Sequence, residues 1–224
     1  MTLHIFGDSF SIPSHLYSES TLITWTDYLS EFIYAEKINN CAQEGVANDY
    51  IFNCLIEQSR GFKSGDVVII QTTNCERQWF FKSKPELSNI YLKDLEKHID
   101  QNEMEAVRKY IQYLNTTHLN NIRNTMFYFA IQYMQSNHPS VKFCILPGWD
   151  NIPNVNGNLI GISDNEFISE TAKIKWYQTH KSDPRPNHML HKINHKILAK
   201  KIYDFLFEGI SLDLQNNFET KFID

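Results

Sequence analysis

Nothing in the 224 residues approaches 18 uninterrupted apolar positions, so no transmembrane helix is expected. The chain opens with neither a basic region nor an apolar stretch ahead of a cleavage site. No removable signal is therefore expected, and a cytoplasmic location is the default. Basic residues are in the minority, 21 Lys and Arg against 26 Asp and Glu, and a net charge of −5 lacks the excess that holds nucleic acid. Cysteine is scarce: Cys41, Cys54, Cys75 and Cys144 fall into no CxxC or zinc spacing and read as reduced, mostly buried thiols. Neither GxGxxG nor GxxxxGK[ST] is present to cradle phosphates. No metal cluster, internal repeat or low-complexity segment is visible, so no cofactor or metal is implied.

What is present is an ordinary globular composition, 42% hydrophobic and 21% charged, of a length that suits one α/β domain. Leu3, Ile5 and Phe6 form a short apolar run that stops at Gly7-Asp8-Ser9, the pattern of a buried strand opening into a turn. Residues 24–34 place Trp25, Tyr28, Leu29 and Phe32 at helical spacing, with Thr24 as a cap. A short strand at 37–41 precedes a loop at 42–48 and an apolar-periodic stretch through Tyr50, Ile51, Cys54 and Leu55. Residues 67–70 (Val-Val-Ile-Ile) and 141–146 have the near-continuous apolar character of parallel strands buried on both faces. Leu119, Ile122, Met126, Phe129 and Tyr133 predict a long helix, and residues 87–115 before it read as a helical insertion. A last helix is expected from about Asn187, with Leu198, Ile202 and Phe205 on one of its apolar stripes. The domain is expected over residues 1–209. The polar tail, 210–224, reads as an extra edge, an oligomer arm or a disordered end.

Strands alternating with helices predict a central, mostly parallel sheet covered on both faces. Ligands in such sheets bind beyond the carboxyl ends of the strands. Ser9, Gly45, Asn74 and Trp149 each follow one of the four strands, so all four are expected at one edge. Each also has a plain alternative: Ser9 as a helix cap, Gly45 as a turn glycine, Trp149 as a packing residue.

Four blocks stand in order along the chain: Gly7-Asp8-Ser9-Phe10-Ser11, residues 40–48 around Gly45, Thr72-Thr73-Asn74-Cys75, and residues 183–188 (Asp-Pro-Arg-Pro-Asn-His). Together they resemble the SGNH (GDSL-like) hydrolases, serine esterases and deacetylases with a flavodoxin-like α/β/α sandwich. The resemblance spans residue 7 to about 195. It implies Ser9 as nucleophile, His188 as general base and Asp183 as its acid. The amides of Ser9 and Gly45 and the side chain of Asn74 would form the oxyanion hole. Thr72 stands where the family has glycine and Cys75 where it often has aspartate. Asp183 precedes His188 by five residues rather than three, and aligning the Pro-Asn pair instead puts Arg185, which cannot act as a base, in the histidine's place. His191 and then His180 are the alternatives to His188.

The resemblance implies hydrolysis of a small carboxylic ester, an O-acetyl group on a carbohydrate among the candidates; the charge balance and the lack of a long apolar run imply no nucleic acid or membrane partner. An acyltransferase or a non-catalytic binding module on the same fold are the competing readings. Arg77 and Trp79, just after the third block, are either substrate contacts or a salt-bridged arginine beside a packed aromatic. The Gly-x-Ser-x-Gly frame of the α/β-hydrolases is absent around Ser9.

Overall fold

The protein is described here from a computed structural model covering residues 1–13, 23–79, 101–149, 152, 155–159, 171, 174, 175, 178 and 192–219. Asp183, His188, His180 and His191 lie outside the described residues, as does much of the expected insertion at 87–115. The chain forms two compact units, residues 1–12 with 36–145 and residues 13–35 with 146–224.

Strands β1 (Thr2–Phe6), β2 (Lys37–Asn40), β3 (Val67–Gln71) and β4 (Lys142–Leu146) make a four-stranded parallel sheet in the order β2-β1-β3-β4. That order matches the first four strands of the flavodoxin-like, doubly wound arrangement. Leu3 pairs with Val67 and Phe6 with Ile70, so the two most fully buried strands lie side by side at the centre. Both pleat faces of this pair are closed to solvent, Leu3, Ile5, Val67 and Ile69 on one and Phe6, Val68 and Ile70 on the other, all 0% exposed. Continuous Val and Ile are what such a position requires, each contributing about 1.5–3 kcal/mol on burial. β2, with Lys37 and Ile38 exposed, is a short polar edge.

The face carrying Phe6, Val68, Ile70 and Phe143 packs against α2 (Asn48–Ser59) through Ile51 and Leu55, and against α4 (Thr117–Asn137) through Phe127 and Ile131. Helix α3 (Gln101–Tyr113) precedes α4 and occupies the later part of the expected insertion. Thr116 caps α4 by accepting the Leu119 amide. The predicted long helix is present, yet the stripe Ile122, Met126, Phe129 and Tyr133 is exposed, and it is Asn120, Phe127 and Ile131 that are buried. Two stripes share the same period in this helix, and periodicity alone does not rank them.

In the second unit, α1 (Trp25–Phe32) packs on α5 (Lys192–Tyr203). The Asp27 carboxylate accepts the Thr24 amide, and Nδ1 of buried His195 accepts the Trp25 amide at 3.1 Å, so α5 helps cap α1. The tail is less polar in effect than in composition. Leu212 and Leu214 are buried, and Asp213 bridges Asn156 in a one-residue parallel pairing.

One ionisable pair ties β1 to the turn before β3. His4 Nε2 lies 3.3 Å from Asp66 Oδ2, and its Nδ1 faces the Asn39 amide nitrogen at 3.2 Å. Asn39 can only donate there, so the imidazole is neutral with its proton on Nε2. Burial holds His4 below its ordinary value, outweighing the pull of Asp66. The unfolded chain therefore takes up a proton near pH 6.5 that the folded chain resists, and stability falls as pH drops below that value. Asp66 acts in the same direction further down. Burial would raise it, but the Thr2 and Lys63 amides and His4 leave it lowered, so its contribution is lost as pH falls below the ordinary aspartate range. The urea midpoint is expected to fall between pH 7 and pH 5, and to fall less in His4→Gln. An equal slope in the variant would place the titration elsewhere.

Candidate functional site

β1 ends at Phe6, and the chain turns through Gly7 and Asp8 into a single 3-10 turn, Ser9–Ser11. The cap of this turn is Asp8, whose carboxylate accepts the Phe10 amide at 3.1 Å, so Ser9 is not needed as a cap. Ser9 itself is half-buried.

The turn is gripped from β3 by Gln71, a fully buried side chain. Its Oε1 accepts the Asp8 amide at 3.0 Å and the Ser11 hydroxyl at 3.1 Å, while its Nε2 donates to the Thr72 carbonyl at 2.6 Å. This grip explains Gly7, because a Cβ there would stand 2.7 Å from both Gln71 Oε1 and Ser11 Oγ. Gly7→Ala is accordingly expected to displace the turn at a cost of about 1–3 kcal/mol, the usual penalty for overpacking. A matched urea midpoint and unchanged activity in that variant would show the grip to be dispensable.

The second block joins the first through backbone and side chain. The Cys41 amide donates to the Ile5 carbonyl at 2.8 Å and the Gln43 amide to the Gly7 carbonyl at 3.2 Å, so the chain past β2 still runs beside β1. Asn40 Nδ2 donates to the Ser11 carbonyl at 2.8 Å. Gly45 has φ of 70°, a left-handed turn conformation that favours glycine whatever else its amide does.

The third block is pinned to the second by Asn48. Its Nδ2 donates to the Thr73 carbonyl at 3.0 Å and its Oδ1 accepts the Thr73 amide at 2.8 Å, a side-chain copy of a backbone pair. Asn74 follows, with its Oδ1 accepting the Glu76 amide at 2.8 Å in an Asx turn. That bond commits the side-chain oxygen to the loop, so Nδ2 is the donating end of the side chain.

Arg77 draws the three blocks together. Its Nη1 donates to Asp8 Oδ2 at 3.2 Å, to Thr73 Oγ1 at 2.7 Å and to the Val46 carbonyl at 3.4 Å. Asp8 is 0% exposed, and burial pushes its carboxyl above the ordinary range while Arg77 pulls it back. The salt-bridged reading of Arg77 thus describes where it sits, and the same side chain also borders a cavity of about 460 Å³. Trp79 lies edge-on to Tyr50 at 5.2 Å, with its amide donating to Asp49 Oδ2. Trp149 belongs to the second unit, where its carbonyl accepts Asn158 Nδ2 at 3.0 Å.

The loops that carry Ser9, Gly45 and Asn74 thus follow the carboxyl ends of β1, β2 and β3 and are joined to one another by hydrogen bonds. Gln71, Asn48, Asn40 and the Asp8–Arg77 pair hold that arrangement and were not singled out from sequence for this work. Among the described residues, no group of three or more His, Cys, Asp or Glu is placed to hold a metal ion, and no helix is long and apolar enough to cross a membrane.

No family model matches the chain, and no curated protein matches it. Among solved structures it is similar to protein YXIM of Bacillus subtilis, at 12% identity and a TM-score of 0.36 over 94% of this chain; the chain spans half the length of that protein. It is also similar to a protein of Desulfitobacterium hafniense DCB-2 named as a "putative lipolytic protein of G-D-S-L family", at 11% identity and a TM-score of 0.35, covering 89% of this chain and 95% of the other. Likeness at this level leaves the function to be argued from the site.

Proposed function

We propose that the chain is a serine hydrolase that cleaves small carboxylic esters, O-acetyl groups on carbohydrate among them, through an acyl-enzyme on Ser9. The observation that carries the reading is the turn at Ser9: a hydroxyl at the end of a central parallel strand, with its backbone locked by Gln71 and Asp8 beside the Gly45 and Asn74 loops. A nucleophile and its oxyanion donors need this fixity, because donors help only when already aimed at the developing charge.

In this reading His188 removes the Ser9 proton as Oγ bonds to the ester carbonyl carbon, and Asp183 holds the imidazole in the right tautomer. The tetrahedral oxyanion takes hydrogen bonds from the Ser9 and Gly45 amides and from Asn74 Nδ2. Collapse breaks the bond to the alcohol, which leaves with the proton from His188. Water, deprotonated by the same histidine, then attacks the acyl-enzyme and releases the acid and free Ser9. The roles of His188 and Asp183 rest on the sequence resemblance.

The test is hydrolysis of chromogenic acetyl to butyryl esters by the purified protein, beside His188→Ala and His191→Ala. Turnover lost in His188→Ala and kept in His191→Ala is the expected result. No turnover by the unmodified protein on any of these esters would move the reading to a binding module or to a transferase closed to water.

A further inference from the structure

The cavity bordered by Arg77 lies between the start of α2, the loop at 74–79 and the middle of α4. Much of its wall is apolar, supplied by Phe52, Met126, Phe127 and Ala130. Its charged groups are Arg77, Arg123 and Asp49, and they are not equivalent. The charge of Arg77 is answered by Asp8 at 3.2 Å. Both oxygens of Asp49 accept backbone amides, Oδ1 from Tyr50 at 3.0 Å and Oδ2 from Trp79 at 3.1 Å; burial raises its carboxyl, while these bonds and the charge of Arg123 pull it back.

Arg123 differs. Its hydrogen bonds run from Nη1 to neutral acceptors, Gln78 Oε1 at 2.7 Å and the Tyr110 hydroxyl, and its guanidinium stands over the Tyr110 ring. Asp49, which lines the same cavity, feels its charge without forming an ion pair with it. These bonds hold the side chain by one nitrogen while the Nε–Nη2 edge, the edge that matches a carboxylate in bidentate fashion, stays uncommitted among the described residues. A half-buried guanidinium fixed in this way, over an apolar floor, is a receptor for an anion carried on an apolar arm.

We infer that this cavity binds a carboxylate at the end of a short apolar arm, with Arg123 pairing the carboxylate and Phe52, Met126 and Phe127 packing the arm. Resting on the hydrolase reading, this makes the preferred substrate an ester bearing such an arm. Arg77 links the two, bordering the cavity while its Nη1 bonds Asp8, the residue before Ser9.

The experiment is titration calorimetry of the Ser9→Ala protein with 4-phenylbutyrate and with its uncharged amide. The carboxylate is expected to bind at least about tenfold more tightly, the scale of one charge-assisted bidentate contact. That preference is expected to disappear in Ser9→Ala/Arg123→Gln, to persist in part in Ser9→Ala/Arg123→Lys, and to shrink as salt is raised. Ala130→Leu, which narrows the cavity without touching a charge, should weaken both ligands. Equal affinity for acid and amide, or a preference that survives Arg123→Gln, overturns the inference. Because binding is read without turnover, an Arg123-dependent preference in a protein that hydrolyses no ester would retain the anion site and discard the hydrolase.

Discussion

Ser9→Ala is expected to lower kcat/KM on short-chain esters by at least about a thousandfold while leaving the unfolding free energy within about 0.5 kcal/mol of the unmodified protein. The first half follows from the proposed role of Ser9 as nucleophile, where losses in serine hydrolases are larger than for any single oxyanion donor. The second follows from the local structure. Asp8 caps the turn and Gln71 binds the Asp8 amide and the Ser11 hydroxyl, so neither of these holding bonds uses the Ser9 hydroxyl. The companion variant Asn74→Ala separates the parts of the site. It removes the proposed oxyanion donor and one Asx turn, and a fall of about a hundred- to a thousandfold in kcat with little change in KM is expected. A fall confined to KM would place Asn74 in ground-state binding.

Arg77→Met is expected to give the largest stability loss, about 3–5 kcal/mol, because it strands a carboxylate that is 0% exposed. Asp8 would then be pushed further toward its neutral form, since burial already raises it and Arg77 is the largest opposing influence. The same guanidinium bonds Thr73 and Val46, so the second and third blocks lose one of their ties to the first. Asp8→Asn in the Arg77→Met background should recover part of the loss, as it replaces the stranded charge with an amide. Chemical denaturation of the two single variants and the double variant measures this coupling. Additive losses would mean that the pair contributes no interaction of its own.

The sheet was legible because a parallel strand buried on both faces has to be apolar throughout, and the runs in β1, β3 and β4 have few other uses. The loops bearing Ser9 and Asn74 followed from where the runs in β1 and β3 end, and the loop bearing Gly45 from the short strand β2. The ties between the loops were not legible. Gln71, Asn48 and Asn40 are single polar residues at element ends, and nothing in their spacing distinguishes an amide that clasps a neighbouring loop from one that faces water. Arg77 could be read as a ligand contact or as a salt bridge, and its partner Asp8, 69 positions away, could not be read at all. In α4 the apolar period fixed the helix but not its buried face, since Phe127 and Ile131 repeat at the same interval as Ile122 and Met126. In the tail, Leu212 and Leu214 are buried among polar neighbours, too few to mark the segment as structured.

The measurement that bears most directly on the proposal is labelling of the purified protein with a small fluorophosphonate, followed by peptide mass spectrometry. Such reagents phosphonylate an activated serine and spare ordinary hydroxyls, so they report the nucleophile without knowledge of the natural ester. One adduct per chain, located on Ser9 and lost in Ser9→Ala and His188→Ala, is the predicted result. A protein that stays unlabelled while folded, or one labelled at Ser11 or elsewhere with Ser9 untouched, would contradict the account.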